Sequence, residues 1–227
     1  MKAVGFMPFW MGYHPQTGSQ LNRALRKLGG RYLINYSLQL LNRSELLSDT
    51  LVFASDNRID DYIEDDLNYH FCQRPSFLDD DDISIEDIIT EFLNHTDADV
   101  IALVHPNSPF LRLESLNDCL EHVMSGEYDS AFTAYKFKKF SWFRGKPLNY
   151  SLTEQTPKLR DVEPVILEQS SLYVFTREMF LKKLKRVGGK SFIRFVDHFE
   201  GHDVGENEDF DMAELIINSG MFTEIAK

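Results

Sequence analysis

The chain has 227 residues, 43% of them apolar, and a formal net charge of −12. That length fits one large domain with its own core, and the acidic balance argues against nucleic acid or an anionic membrane as main partner. No apolar run approaches the roughly 20 residues of a membrane span.

The first ten residues are too short and too quickly interrupted for a signal peptide, and residues 2–8 read as a buried strand. A loop from Phe9 to Lys27 follows, rich in Gly, Gln, Ser and basic side chains. Residues 31–46 carry Leu33, Ile34, Leu38, Leu41 and Leu46 at roughly helical spacing. A second strand over Thr50–Ser55 ends at Asp56 and Asn57, either of which can cap a following helix. A strand at 69–72 and an amphipathic helix at 84–95 come next. Val100 to Val104 is uniformly apolar and reads as a strand buried on both faces, over 100–105. The pattern predicts a helix over 113–124 and a strand over 129–135. From Lys136 to Ile166 the chain is basic, aromatic and irregular, and the alternation breaks. A strand resumes at Leu172–Phe175, another is expected at 192–198, and a last helix at 207–218 stops before Gly220.

Strands alternating with helices predict an α/β fold: a mostly parallel, doubly wound, Rossmann-like sheet. The whole chain, 1–227, is expected to be one domain with 136–166 as an insert. Cys72 and Cys119 lie in apolar surroundings without metal-ligand or redox spacing, so they are expected to be reduced core residues of a cytoplasmic protein.

In an open α/β sheet, ligands bind beyond the carboxyl ends of strands. The strand at 100–105 runs there into His105-Pro-Asn-Ser-Pro-Phe-Leu-Arg112, a loop stiffened by two prolines and bearing polar His105, Asn107 and Ser108. The N-terminal loop holds Gly18-Ser19-Gln20, then Arg23, Arg26, Lys27 and Gly29-Gly30. Glycine lets backbone N–H groups approach an anion, and arginine offers a fork of donors to phosphate. A solvated basic loop reads equally well from those residues. Arg74 to Asp87 is an acidic segment in which Ser84 and Asp87 form a capping-box variant. Glu168-Gln-Ser-Ser leads into an aromatic strand. His202 to Glu214 sets acids before a helix, where N-caps and dipole partners are common.

In their order and spacing these segments resemble the acylneuraminate cytidylyltransferases, the CMP–sugar acid synthetases. Pro106, Ser108, Pro109, Leu111 and Arg112 agree with that family's Gln-Pro-Thr-Ser-Pro-Leu-Arg, with His105 in place of Gln and Asn107 in place of Thr. Arg74, Asp81, Ser84 and Asp87 fit Arg-Pro-x-x-Leu-x-x-Asp-x-x-Ser-x-x-Asp. Glu168 and Leu172 to Phe175 fit Glu-Asn-Gly-x-Leu-Tyr-Val-Phe. Asp203, Asp209, Phe210, Ala213 and Glu214 fit the acidic motif, where Gly205 replaces its second Asp. Leu28-Gly29-Gly30 fits the end of the phosphate loop, and Gln20 replaces a Lys within it.

The resemblance implies a fold of the nucleotide-diphospho-sugar transferase type. It also implies CTP and a 2-keto-3-deoxy sugar acid as substrates for surface glycan synthesis, and a homodimer formed through 136–166. Gly18 and Ser19, with catalytic Arg23 and Arg26, would cradle phosphate. Ser55, Arg74, Ser84, Asn107 and Ser108 would hold the nucleotide, and His105, Glu168 and Gln169 the sugar. Asp203 with Glu206 would hold Mg²⁺. Three other readings stay open. One is a nucleotidyltransferase for another sugar or nucleotide. Another is a GT-A glycosyltransferase using Asp79–Asp82. The last is a nucleotide-binding homologue that does not catalyse.

Overall fold

The computed structural model describes residues 1–12 and 23–220. In chain order its strands are β1 (Ala3–Phe9), β2 (Lys27–Leu28), β3 (Arg31–Tyr32), β4 (Asp49–Ala54), β5 (His70–Gln73), β6 (Val100–Val104), β7 (Ser130–Phe137), β8 (Trp142–Phe143), β9 (Lys146–Pro147), β10 (Val165–Thr176) and β11 (Ser191–Phe195). The α-helices are α1 (Leu33–Arg43), α2 (Ile85–Phe92), α3 (Leu113–Met124), α4 (Arg177–Lys183) and α5 (Asn207–Asn218).

Seven strands pair in the order β11-β7-β10-β6-β1-β4-β5. All neighbouring pairs are parallel except those of β10, which runs antiparallel to both β6 and β7. β1 and β6 are buried at every position, as strands covered on both faces must be. Alternation sorts their side chains. Met7, Val52, Ala102, Val104 and Val174 face α1 and α3, whose Leu38, Leu41, Leu116 and Leu120 pack there. Phe6, Phe53, Leu103, Tyr173 and Phe175 face α2 and α4, whose Ile89, Phe92, Met179 and Phe180 pack there.

The chain leaves β1 toward β4 and β5 on one side and resumes with β6 on the other, so strand order reverses at the β1/β6 boundary. A crevice at the carboxyl ends of β1 and β6 follows from that reversal. The last β1–β6 rung is Phe6 with Leu103, whereas β1 stays paired with β4 to Phe9. Pro8, which has no N–H to give to a ladder, stands beyond that last rung.

Several expectations needed correction. The first helix spans 33–43 and not 31–46, because Lys27–Leu28 and Arg31–Tyr32 form a small hairpin ahead of it. Gly29 and Gly30 make its two-residue turn with φ of +58° and +89°, the type I′ combination that glycine adopts without strain. Their conformational freedom therefore serves this turn. After β4 the chain makes a short 3₁₀ segment, Asn57–Tyr62, in place of a full helix; Asp56 caps it by accepting from the Arg58 N–H at 2.9 Å. The strand expected at 172–175 begins at Val165, and α4 after it was not foreseen. The strand expected at 192–198 covers 191–195.

The irregular connection between β7 and β10 holds the β8–β9 hairpin. Asn149 clasps it, accepting from the Ser141 N–H at 3.0 Å and donating to the Lys139 and Glu163 carbonyls at 2.8 Å each. Phe140, Trp142, Phe143, Leu148 and Leu152 are exposed along it.

Candidate functional site

At the carboxyl edge of the sheet the loop after β6 meets the loop after β11. The Ser108 hydroxyl donates to Asp203 Oδ1 at 2.7 Å, and the Val204 N–H donates to the Asn107 carbonyl at 2.9 Å. Arg112 fastens the same two loops further out. Its backbone N–H and one guanidinium nitrogen donate to Glu200 at 3.2 Å each, and another donates to Asp197 at 2.7 Å. Burial raises the carboxyls of Asp203 and Glu200, and the bond from Ser108 opposes this at Asp203. The resemblance paired the two loops by motif; the structure pairs them by hydrogen bonds.

His105 opens the β6 loop. Its N–H donates to the Ser171 carbonyl at 3.2 Å, and its carbonyl accepts from the Ser37 hydroxyl at 3.0 Å. The backbone is thus fixed from two sides, while Nε2 is buried with no partner among the described residues. Burial first, and then the charge of Arg186, lower the imidazole from 6.5 to about 4. His105 is therefore neutral near pH 7.

Because β10 runs backwards, its beginning lies at this same edge. Glu168 pairs with Ala134 and Tyr173 with Phe132, so four residues of β10 stand against one of β7. This bulge carries Gln169. The Glu168 carboxylate accepts a short bond from the Tyr173 hydroxyl. Gln169 packs on Gly201, where an added Cβ would meet its side chain at 3.2 Å. A cavity of about 490 Å³ lies here, lined by Tyr135, Gln169, His198, His202 and Asp203, with Met212 at its side. Another, of about 450 Å³, lies at the opposite edge beside Lys2, Asp49 and His95, among the amino ends of the strands.

The phosphate side is arranged differently from expectation. Gly18 and Ser19 lie outside the described residues. Arg23 donates with both terminal nitrogens to Glu206, at 3.2 and 2.9 Å. Arg26 donates to Asn207 Oδ1 at 3.0 Å and stacks on Phe210 at 3.8 Å. Both arginines thus meet the first turn of α5. Glu206 is spent on Arg23 instead of joining Asp203, and Asp209 accepts from the N–H groups of Gly205 and Glu206. Among the described residues no group of three or more His, Cys, Asp or Glu side chains can hold a metal ion. Mg²⁺ needs only one or two protein carboxylates when ligand phosphates supply oxygens. Asp203, half-buried beside the crevice, fits that limited role.

The β4–β5 side holds an ion pair buried on its arginine side. Arg74 is 2% exposed and pairs with Asp79, which also accepts from the Ser55 hydroxyl. Its Nε is buried without a partner among the described residues. The fork expected to grip a nucleoside is committed inside the protein, and Ser55 belongs to the same knot. Ser84 caps α2: the Asp87 N–H donates to its hydroxyl at 3.2 Å, and that hydroxyl donates to the Asp87 carboxylate at 2.6 Å. The structure therefore joins His105, Asn107, Ser108, Asp203, Glu168 and Gln169 at one edge and sets Ser84 in a helix cap. Asp79, Glu200 and Arg186 were missed. Asp79 was read only as one of the Asp79–Asp82 run, and neither Glu200 nor Arg186 had a motif around it.

A family model described as cytidylyltransferase matches residues 21–183. The solved structure of CMP:2-keto-3-deoxy-manno-octonic acid synthetase complexed with CTP is similar over 96% of this chain and 99% of that one, with TM-score 0.70 and 12% identity. The 4-diphosphocytidyl-2C-methyl-D-erythritol synthase of Anaerococcus prevotii is similar over 96% of each chain, with TM-score 0.63 and 14% identity. The bifunctional IspDF of Campylobacter jejuni is similar over 93% of this chain and 54% of that one, with TM-score 0.67 and 13% identity.

Proposed function

The chain belongs to the cytidylyltransferase family, and we propose that its acceptor is a 2-keto-3-deoxy sugar acid of the sialic or octulosonic type. CTP is the donor in this reading. The anomeric hydroxyl attacks the α-phosphate, a new P–O bond forms, the α–β anhydride bond breaks and pyrophosphate leaves. The observation that carries the reading is the Ser108–Asp203 bond, which sets a half-buried carboxylate beside the polar start of β10 at the carboxyl edge of the sheet.

Positioning and charge neutralisation supply most of the catalysis in such a transfer. Arg23 exchanges Glu206 for triphosphate oxygens, with Arg26 beside it and the amides of Gly18 and Ser19 completing the cradle. Asn107 and Ser108 border the nucleotide. Arg74 acts indirectly, by holding Asp79 and Ser55 in place beneath it. His105, Glu168 and Gln169 face the acceptor. Asp203 would hold Mg²⁺, which would supply charge neutralisation at the phosphate oxygens. The exposed aromatic face around Trp142 and Phe143 is the surface through which a homodimer forms. The reading places the protein in the cytoplasm, in the synthesis of surface glycans. Among the described residues no helix is long and apolar enough to cross a membrane.

The test is a pyrophosphate-release screen with Mg²⁺, each nucleoside triphosphate being offered with a panel of 2-keto sugar acids. Release that needs both CTP and a sugar acid is expected. Release with UTP or GTP in place of CTP, or with an acceptor that is not a sugar acid, overturns the assignment.

A further inference from the structure

Arg186 lies in the connection between α4 and β11. Its guanidinium carbon sits 4.0 Å from the centroid of the Tyr173 ring. Among the described residues it has neither a hydrogen bond nor an ion pair. In contrast, Arg23, Arg31, Arg58, Arg74, Arg112 and Arg194 are each spent on a carboxylate. In so acidic a chain, a part-buried arginine stacked on an aromatic face without an acid to pair presents its donors to an anion.

Its surroundings set those donors at the acceptor end. Leu103 pairs with Tyr173 across β6 and β10, and the His105 N–H meets the Ser171 carbonyl, so His105 and Tyr173 are diagonal neighbours across the two strands. The Tyr173 hydroxyl points to Glu168 at the open start of β10, so the ring under Arg186 faces the same edge. His105 Nε2 is buried and unpartnered there. A neutral imidazole beside a guanidinium supplies a second polar contact without repelling it.

We infer that Arg186 is the residue that binds the acceptor's C1 carboxylate, with His105 Nε2 as the neighbouring polar contact. The inference rests on the proposed sugar-acid acceptor. In such an acid the carboxylate is attached to the carbon whose hydroxyl attacks. A forked grip on the carboxylate therefore also fixes the direction of the attacking oxygen. The long hydroxylated tail is left to Glu168 and Gln169.

The experiment compares a sugar acid with its C1 amide as acceptors for the wild type, R186Q and R186K, with thermal melts to confirm that the variants fold. The wild type prefers the acid. R186Q loses that preference through a roughly ten- to hundredfold fall in kcat/KM for the acid, and its KM for CTP stays within about twofold. R186K falls between. If the wild type prefers the acid and R186Q keeps the same preference, the role of Arg186 is overturned while the sugar-acid reading stands. The same holds if KM for CTP rises in parallel. If the wild type turns over neither acceptor, the sugar-acid reading fails and this inference fails with it.

Discussion

Ser108 and Asp203 are 95 residues apart in sequence and 2.7 Å apart at the site. The bond joins the loops that close two parallel strands on opposite sides of β10. It also sets the ionisation of Asp203, because a donated hydrogen bond favours the carboxylate that burial disfavours. Removing the hydroxyl with Ser108→Ala raises the Asp203 carboxyl further. The acid limb of the kcat/KM profile then moves to higher pH. Asp203→Asn lowers kcat about a hundredfold or more without that shift. Pyrophosphate release followed from pH 5 to 9 checks both.

His105 predicts a pH dependence of stability. Its folded pKa, about 4, lies below the ordinary 6.5, and burial is the main cause. Between those values the unfolded chain binds a proton that the folded chain refuses. Stability is therefore full above about pH 6.5 and falls as pH drops toward 4. The His105→Gln variant lacks this component. Urea melts at pH 7 and pH 5 should show the wild type losing on the order of 1 kcal/mol more than the variant.

Arg74 is buried and its partner Asp79 is 21% exposed, so the arginine is the costlier of the two to leave alone. Arg74→Met alone should cost up to about 3 kcal/mol, because half-buried Asp79 loses its counter-charge. Arg74→Met combined with Asp79→Leu should recover a large part of that loss. Denaturant midpoints of the two single variants and the double variant measure the coupling.

Arg23 and Glu206 predict a competition. The pair is open to solvent, with side chains 44% and 71% exposed, so it contributes little to stability. Under the proposed function, Glu206 nevertheless occupies the donors that triphosphate would take. Glu206→Gln should tighten CTP binding by roughly two- to fivefold in low salt and leave the melting temperature almost unchanged. Arg23→Gln should weaken it. Calorimetric titration with CTP separates the two, and added salt should shrink both effects.

Much of the fold was legible because apolar periodicity reports burial directly. The helices at 113–124 and 207–218 have the bounds their spacing implies. The capping role of Ser84 could be read locally, since its partner is Asp87. Partners distant in sequence escaped the reading. Nothing near Arg23 says that Glu206, 183 residues further on, will take its fork; Asp79 stands only five residues after Arg74, but within a run of four acids that gave no sign of which one pairs. The first half of β10 was missed because its side chains alternate between partly buried and exposed, and a polar bulge interrupts the apolar pattern. The loops carrying His105 and Asp203 were identified by motif, but their chemistry depends on contacts between them.

The reversed direction of β10 has a consequence for how this protein can change. A parallel strand would deliver its opening residues to the far edge. β10 instead delivers Glu168 and Gln169 to the cleft and then runs back into the core through Phe175. Under the proposed function, acceptor recognition would rest partly on this short bulged stretch, whose other end is anchored by aromatic packing. Substitutions there can alter which acceptor fits without disturbing the loops that follow β1, β4 and β5. The scaffold separates what is transferred from where it is placed, and the second can drift while the first is held.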